Sequence, residues 1–248
     1  MTGAQDLYLD LLKRCLTNMI YQDPATLMGV HRPFDLRSRA EGVDWPVVAH
    51  TMIGIKRLDA LHFFVQDVLD RGVPGDFIET GVWRGGACIF MRGMLKARGV
   101  TDRVVWAADS FEGVPPPNTE QYPQDAGYKF HEYRELAVPL EEVQENFRRY
   151  GLLDDQVRFL KGWFRDTLPS APVARLAVLR LDGDLYESTM DALTYLYPKL
   201  ERGGYAIIDD FGDVRGCQQA VTEYRAAHGI EEEIVPIDRA SVFWRRDW

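Results

Sequence analysis

Three features of the chain predict an α/β fold: a Rossmann-like, mostly parallel open sheet with its last strand antiparallel, an N-terminal helical cap and lid segments. Short apolar runs alternate with stretches of helical spacing from residue 57 to residue 228, the pattern of strand–helix units wound about a parallel sheet. The run from Arg175 to Leu181 is almost continuously apolar, as expected of a strand covered on both faces. Several runs end in acids, namely Glu79, Asp109, Asp182, Asp209 and Asp210. In such a sheet the carboxyl ends of the strands face the ligand crevice.

Composition narrows the class. With 248 residues and 46% hydrophobic residues, the chain can build one core with an appendage. A formal net charge of -9 argues against a nucleic-acid footprint. The cysteines Cys15, Cys88 and Cys217 are too scattered for a disulfide framework or a zinc site. No basic-then-apolar leader pattern occurs, and no apolar run approaches the roughly 18 residues of a membrane span. A cytoplasmic protein without nucleic-acid or membrane partners is therefore expected.

In chain order, the first prediction is an amphipathic helix over residues 6–20, with Leu7, Leu11, Leu12, Cys15, Leu16 and Met19 as its apolar face. Residues 21–50 carry Pro24, Gly29, Pro33, Gly42 and Pro46, and read as an irregular lid or binding segment. Residues 57–71 form a helix that buries Leu58, Leu61, Phe64, Val65, Val68 and Leu69, stopped by Gly72 and Pro74. Strands follow at 76–79, 104–109, 157–160, 175–182 and 204–210. The helices between them run through Cys88–Leu95, 139–150 and 186–197, the last broken by Gly203 and Gly204, with another over 216–228. Residues 111–138 are too long for an ordinary connection and contain Phe111, Tyr122, Tyr128, Phe130 and Tyr133. They read as a second lid, or as a disordered or subunit-contact loop. The runs 233–237 and 241–245 form the closing antiparallel pair. The domain expectation is a helix-and-lid segment over 1–56 and a catalytic domain over 57–248.

The chemistry is concentrated at the strand ends. Asp182, Asp184, Asp209 and Asp210 would repel one another when brought together, and oxygen donors of this kind suit Mg²⁺. After Glu79 comes a glycine-rich turn through Gly81, Gly85 and Gly86 that opens a helix, an arrangement that lets a cofactor approach the backbone. The dinucleotide pattern G-x-G-x-x-G is not met, and a carboxylate at Glu79 favours a cationic amino group over a pyrophosphate. Asp109 is placed to accept ribose hydroxyls or, alternatively, to cap the following turn. Gly162 and Trp163 can hold a flat adenine, although a tryptophan is also a common core residue.

Longer stretches resemble the macrocin O-methyltransferase family. They are Glu79–Gly86, Ala108–Gly113, Leu181–Thr189, Ile208–Phe211, Ala49–Gly54 and Arg149–Phe159, with Leu9–Arg14 near the start. The resemblance spans about residue 7 to the Trp-Arg-Arg ending. It implies a class I methyltransferase fold and a Mg²⁺-assisted enzyme that uses S-adenosylmethionine to methylate a sugar hydroxyl of a glycosylated natural product, such as a macrolide or aminocoumarin. It further implies that Glu79 binds the methionine ammonium beside the Gly81–Gly86 turn, and that Asp109 takes the ribose. Ser110, Gly162 and Trp163 lie near the adenine, and Thr51 and Met52 close over the donor. Asp182, Asp209 and Asp210 are the implied metal ligands and Asp184 the implied general base. The competing roles for Asp184 are a cap of the next helix, with His131 or His31 as base instead. A homodimer or higher homo-oligomer is expected. The rival functions are a nicotinamide-dependent oxidoreductase and a catalytically idle interaction protein of the same fold.

Overall fold

The computed structural model describes residues 3–247. The chain begins with α1 (Gly3–Leu16), a hairpin of β1 (Ala25–Leu27) and β2 (Val30–Arg32), and α2 (Leu36–Glu41). Next come α3 (Gly54–Asp70), β3 (Asp76–Thr80), α4 (Gly86–Ala97), β4 (Val105–Asp109), α5 (Leu140–Arg149), β5 (Val157–Lys161) and the single-turn α6 (Phe164–Thr167). The remainder is β6 (Leu176–Leu181), α7 (Tyr186–Leu196), β7 (Leu200–Ile208), α8 (Arg215–Ala227), β8 (Val235–Pro236) and β9 (Val242–Arg245). Seven strands form one sheet in the order β5-β4-β3-β6-β7-β9-β8. Strands β3 to β7 run parallel to one another, and β9 enters antiparallel between β7 and β8.

Strand alternation builds two cores from one sheet. Phe77, Val178, Tyr205 and Ile207 point to the face covered by α1, α3, α4 and α5, where Leu9, Phe64, Phe90 and Phe147 complete a buried cluster. Ile78, Leu179, Ala206 and Ile208 point to the other face, under α7 and α8, with Leu193, Val221 and Trp244. Both faces are covered, so the central strands carry hardly any outward polar residue. Reversal of strand order occurs between β3 and β6, the switch point where an open α/β sheet leaves its crevice.

Four local expectations change. Helix α1 ends at Leu16 and buries Leu9, Leu12, Lys13 and Leu16, while Leu7 and Leu11 are 72% and 53% exposed. Its spacing permits two overlapping apolar stripes, and the surface of α4 selects the one through Leu9. Residues 21–50 contain the β1–β2 hairpin and α2, elements too short to leave a periodic signal. Gly203 and Gly204 lie inside β7 rather than at a helix stop. Gly204 is where a Cβ would press on the Ala177 carbonyl of β6, at 2.7 Å. Finally, residues 111–138 are folded onto the protein through short 3₁₀ turns at Pro123–Asp125, Phe130–Glu132 and Arg134–Leu136. No helix among the described residues is long and apolar enough to cross a membrane.

Candidate active site

The carboxyl edge of β3, β4, β6 and β7 opens into a cavity of about 530 Å³. Among its walls are Glu79, Gly81, Asp109, Ser110 and Trp163 on one side, Asp182, Asp184, Asp209 and Asp210 on the other, and Thr51 and Met52 above. Gly85 and Gly162 are not part of the lining. Three non-glycine residues at this edge hold a left-handed backbone: Trp83 after β3, Phe111 after β4 and Asp184 after β6, with φ of 47°, 59° and 58°. Such conformations cost on the order of 1 kcal/mol or more and persist where surrounding contacts demand them.

Gly81, with φ of 83°, is required by the protein itself. A Cβ there would collide with the backbone carbonyl of Asp182, so β3 and β6 can converge only through glycine. Gly85 caps α4 with φ of 86°, and a Cβ there would meet Val143 of α5 at 2.9 Å. The turn therefore owes two of its glycines to close internal contact, a reason distinct from the cofactor approach that the sequence suggests. The Asp109 carboxylate accepts the Val82 amide on one oxygen and the Phe111 amide on the other, both at 2.7 Å. It thereby ties the turn after β3 to the turn after β4, and the Ser110 hydroxyl lies 3.4 Å from its Oδ1.

Two arginines that the sequence reading overlooked organise the acids. Arg180 lies in the apolar run of β6 and is 2% exposed. Its guanidinium donates to Glu79 at 2.5 Å, Asp182 at 2.7 Å and Asp209 at 2.5 Å. Arg57 of α3 donates to Asp209 at 2.6 Å and to Asp238 at 2.7 Å. The Cys88 thiol donates to the second oxygen of Glu79 at 3.0 Å. The expectation that the acids repel unless a metal joins them is thus corrected in part: two guanidinium groups already compensate some of the charge. Their signal is present as two arginines close to apolar positions, but most of their partners lie elsewhere in the chain.

Negative charge nonetheless remains in excess. Burial pushes Asp184 up to about 7, and the nearby Asp182 and Asp209 carboxylates add to the shift. Burial also raises Asp182 to about 6 against the pull of Arg180, and Glu79 to about 7 against the same pull. Asp210 is driven well above the usual carboxylate range by burial and then by Asp184. Asp182, Asp209 and Asp210 each offer an oxygen, all within 4.8 Å of one another. A hard, all-oxygen donor set with unrelieved negative charge fits a cation such as Mg²⁺. The Asp184 amide donates to Asp210 at 3.2 Å. Neither His131 nor His31 lines this cavity: His131 lies in an exposed 3₁₀ turn and His31 on the exposed strand β2.

The N-terminal segment forms the roof. Backbone amides of His50 and Thr51 donate to the Leu16 carbonyl at 2.9 and 3.2 Å. A Cβ on Gly86 would collide with the His50 carbonyl, so the start of α4 and the Thr51–Met52 stretch touch backbone to backbone. The 111–138 segment closes a second side with Gly113, Val114, Pro115, Phe130 and Leu136.

With this geometry in hand, known proteins supply a context. The family model described as Macrocin-O-methyltransferase (TylF) matches residues 5–246. The mycinamicin III 3''-O-methyltransferase of Micromonospora griseorubida is 57% identical over 250 residues, covering 99% of this chain and 98% of the relative. The 8-demethyl-8-(2,3-dimethoxy-alpha-L-rhamnosyl)-tetracenomycin-C 4'-O-methyltransferase of Streptomyces olivaceus is 57% identical over 244 residues, with coverage of 98% and 93%. Among solved structures, the O-methyltransferase NovP superposes with a TM-score of 0.95 at 53% identity, covering 98% of this chain and 100% of that one.

Proposed function

The chain belongs to the macrocin-O-methyltransferase family, and we propose that it methylates a sugar hydroxyl of a glycosylated natural product, with S-adenosylmethionine as donor and Mg²⁺ at the acidic cluster. The observation that carries this reading is one cavity lined by both Glu79, Asp109 and Trp163 and the carboxylates Asp182, Asp184, Asp209 and Asp210. The acceptor class is supported by the names of the relatives, one acting on mycinamicin III and another on a rhamnosyl tetracenomycin. Family membership sets aside the nicotinamide-dependent and idle alternatives.

Glu79 presents negative charge to the donor's ammonium, Asp109 accepts its ribose hydroxyls, and Ser110 and Trp163 flank its adenine. The turn from Gly81 to Gly85 lies beside the methionine part, and Thr51 and Met52 exclude water from above. Asp182, Asp209 and Asp210 would hold Mg²⁺, which when bound supplies Lewis acidity to a hydroxyl oxygen. Asp184 takes the hydroxyl proton as that oxygen attacks the methyl carbon; the O–C bond forms, the C–S bond breaks and the thioether leaves. A carboxylate that lines the cavity beside the three ligands is suited to this role. Cytoplasmic residence and self-association belong to the same proposal, the latter supported by the exposed Leu7 and Leu11 on α1.

Asp184→Asn is expected to lower turnover roughly 100-fold or more while calorimetric donor affinity stays intact; near-normal turnover would move the base elsewhere. A chelator should abolish activity and added Mg²⁺ restore it, whereas activity that survives chelation removes the metal from the mechanism. Sedimentation that gives a monomer at working concentrations would remove self-association.

A further inference from the structure

Helix α7 starts two residues after Asp184, yet its cap position is Leu185, which has no side-chain hydrogen bond to offer. Helix amides without a carbonyl partner need an acceptor, and a carboxylate is favoured there by the helix dipole. Asp184 is the nearest acid ahead of the helix, and it lines the cavity instead. The acceptor comes from far away in the chain. Asp125, in the 111–138 segment, accepts the Tyr186 amide at 2.6 Å on one oxygen and the Glu187 amide at 3.2 Å on the other. It is 0% exposed. The first turn of α8 seals it in, since a Cβ on Gly216 would lie 2.7 Å from its Oδ1.

We propose that Asp125 is a positioning residue for methyl transfer: by capping α7 from the 111–138 segment, it leaves the Asp184 carboxylate free to face the acceptor. The inference rests on the reading of Asp184 as the base. Without Asp125, the exposed amides of Tyr186 and Glu187 draw Asp184 into the cap and out of the cavity. The 111–138 segment then has a catalytic duty beyond covering the ligand.

The test uses the full-length enzyme with saturating acceptor. Asp125→Ala is expected to lower kcat by about tenfold to a hundredfold, the size of effect produced by a displaced reacting group, with the KM for S-adenosylmethionine unchanged. Asp125→Asn, which keeps one acceptor oxygen, should fall between it and the wild type. It also carries the test if the alanine variant does not fold. Tyr128→Phe removes a different tether of the same segment, the Tyr128 hydroxyl that accepts the Arg215 amide at 2.9 Å, and should leave kcat within about twofold since no reacting group is displaced. The decisive readout is a thermal cycle. Asp184→Ala, which unlike asparagine cannot cap, should lower the melting temperature further in the Asp125→Ala background, where Asp184 has become the cap, than in the wild type. Undiminished kcat in both Asp125 variants, equal losses in Asp125→Ala and Tyr128→Phe, or the same thermal effect of Asp184→Ala in both backgrounds would overturn the proposal. Failure of the base reading is separate, because it shows as full turnover in Asp184→Asn alone.

Discussion

Two segments flank the cavity, and they are held by different physics. Residues 17–53 are fastened mainly to themselves by buried charge. Arg39, 1% exposed, donates to Asp23 at 2.8 Å, to Asp44 at 2.9 Å and to the carbonyls of Thr17 and Asp23 at 2.9 and 3.0 Å. The second oxygen of Asp23 accepts the Val48 and Ala49 amides at 2.5 and 3.2 Å. Residues 111–138 contain no such internal cluster among their described contacts. They are tethered outward by Asp125 to α7, by Tyr128 to α8, and by the Glu135 carbonyl, which accepts the Trp83 indole N–H at 2.8 Å. The first segment is a prefabricated roof, whereas the second takes its shape from the catalytic elements it touches. Damage to the first should therefore register mostly as lost stability and donor binding, and loss of the Asp125 tether of the second as lost turnover.

The largest expected effect is that of Arg39→Met. It strands Asp23 and Asp44 as buried carboxylates without their partner, a change that typically costs about 3–5 kcal/mol. Chemical denaturation should show it, together with a raised KM for the donor, because Thr51 and Met52 hang from the same segment. An Arg39→Met protein as stable as the wild type would put both segments on the same footing. Next comes Gly54→Ala. Gly42 and Gly54 have φ of 65° and 73°, and a Cβ on Gly54 would collide with the Gly42 amide. Forcing alanine into that conformation and contact should cost about 1–3 kcal/mol or more in denaturant midpoints. Trp83→Phe removes one neutral hydrogen bond to the outer segment, so a loss of only about 1 kcal/mol is expected. A larger loss would mean that the second segment is itself a pillar of the fold.

A further effect sharpens the comparison through pH. His50 lies in the roof with its Nδ1 2.8 Å from the Tyr150 hydroxyl. Burial, followed by the Arg149 and Arg84 guanidinium groups, lowers its pKa from 6.5 to about 4. The unfolded chain therefore binds the proton first. The stability contributed by neutral His50 is complete above pH 6.5 and erodes as pH falls from there toward 4. Urea midpoints at pH 7 and pH 5 should converge in His50→Gln relative to the wild type; an unchanged gap would assign the acid sensitivity to other groups.

The strand ends were legible because their signal is local: an apolar run that stops at an acid needs only a few adjacent residues to be recognised. Glu79, Asp109, Asp182, Asp209 and Asp210 were found this way, and the structure gathers them at one edge. The face of α1 is only partly legible: Leu12 and Leu16 are buried as expected, but Leu7, Leu11 and Leu9 all satisfy helical spacing, and only the shape of α4 discriminates between them. Arg180 passed as part of an apolar strand, since its compensating carboxylates come from β3, the end of β6 and the end of β7. Asp125 carried no signal, because its partners are backbone amides 61 positions away.

By itself the sequence determined the α/β class, the strand ends that carry acids and the family to which they belong, because periodicity and motif are written in neighbouring residues. Tertiary structure alone decided which charges meet and which side chain caps which helix. Those depend on sheet order, which brings Glu79, Arg180, Asp182 and Asp209 together, and on where a segment such as 111–138 comes to rest. Whether a carboxylate is paired, capping or free is a property of the space around it, and that space is assembled from parts of the chain that do not adjoin.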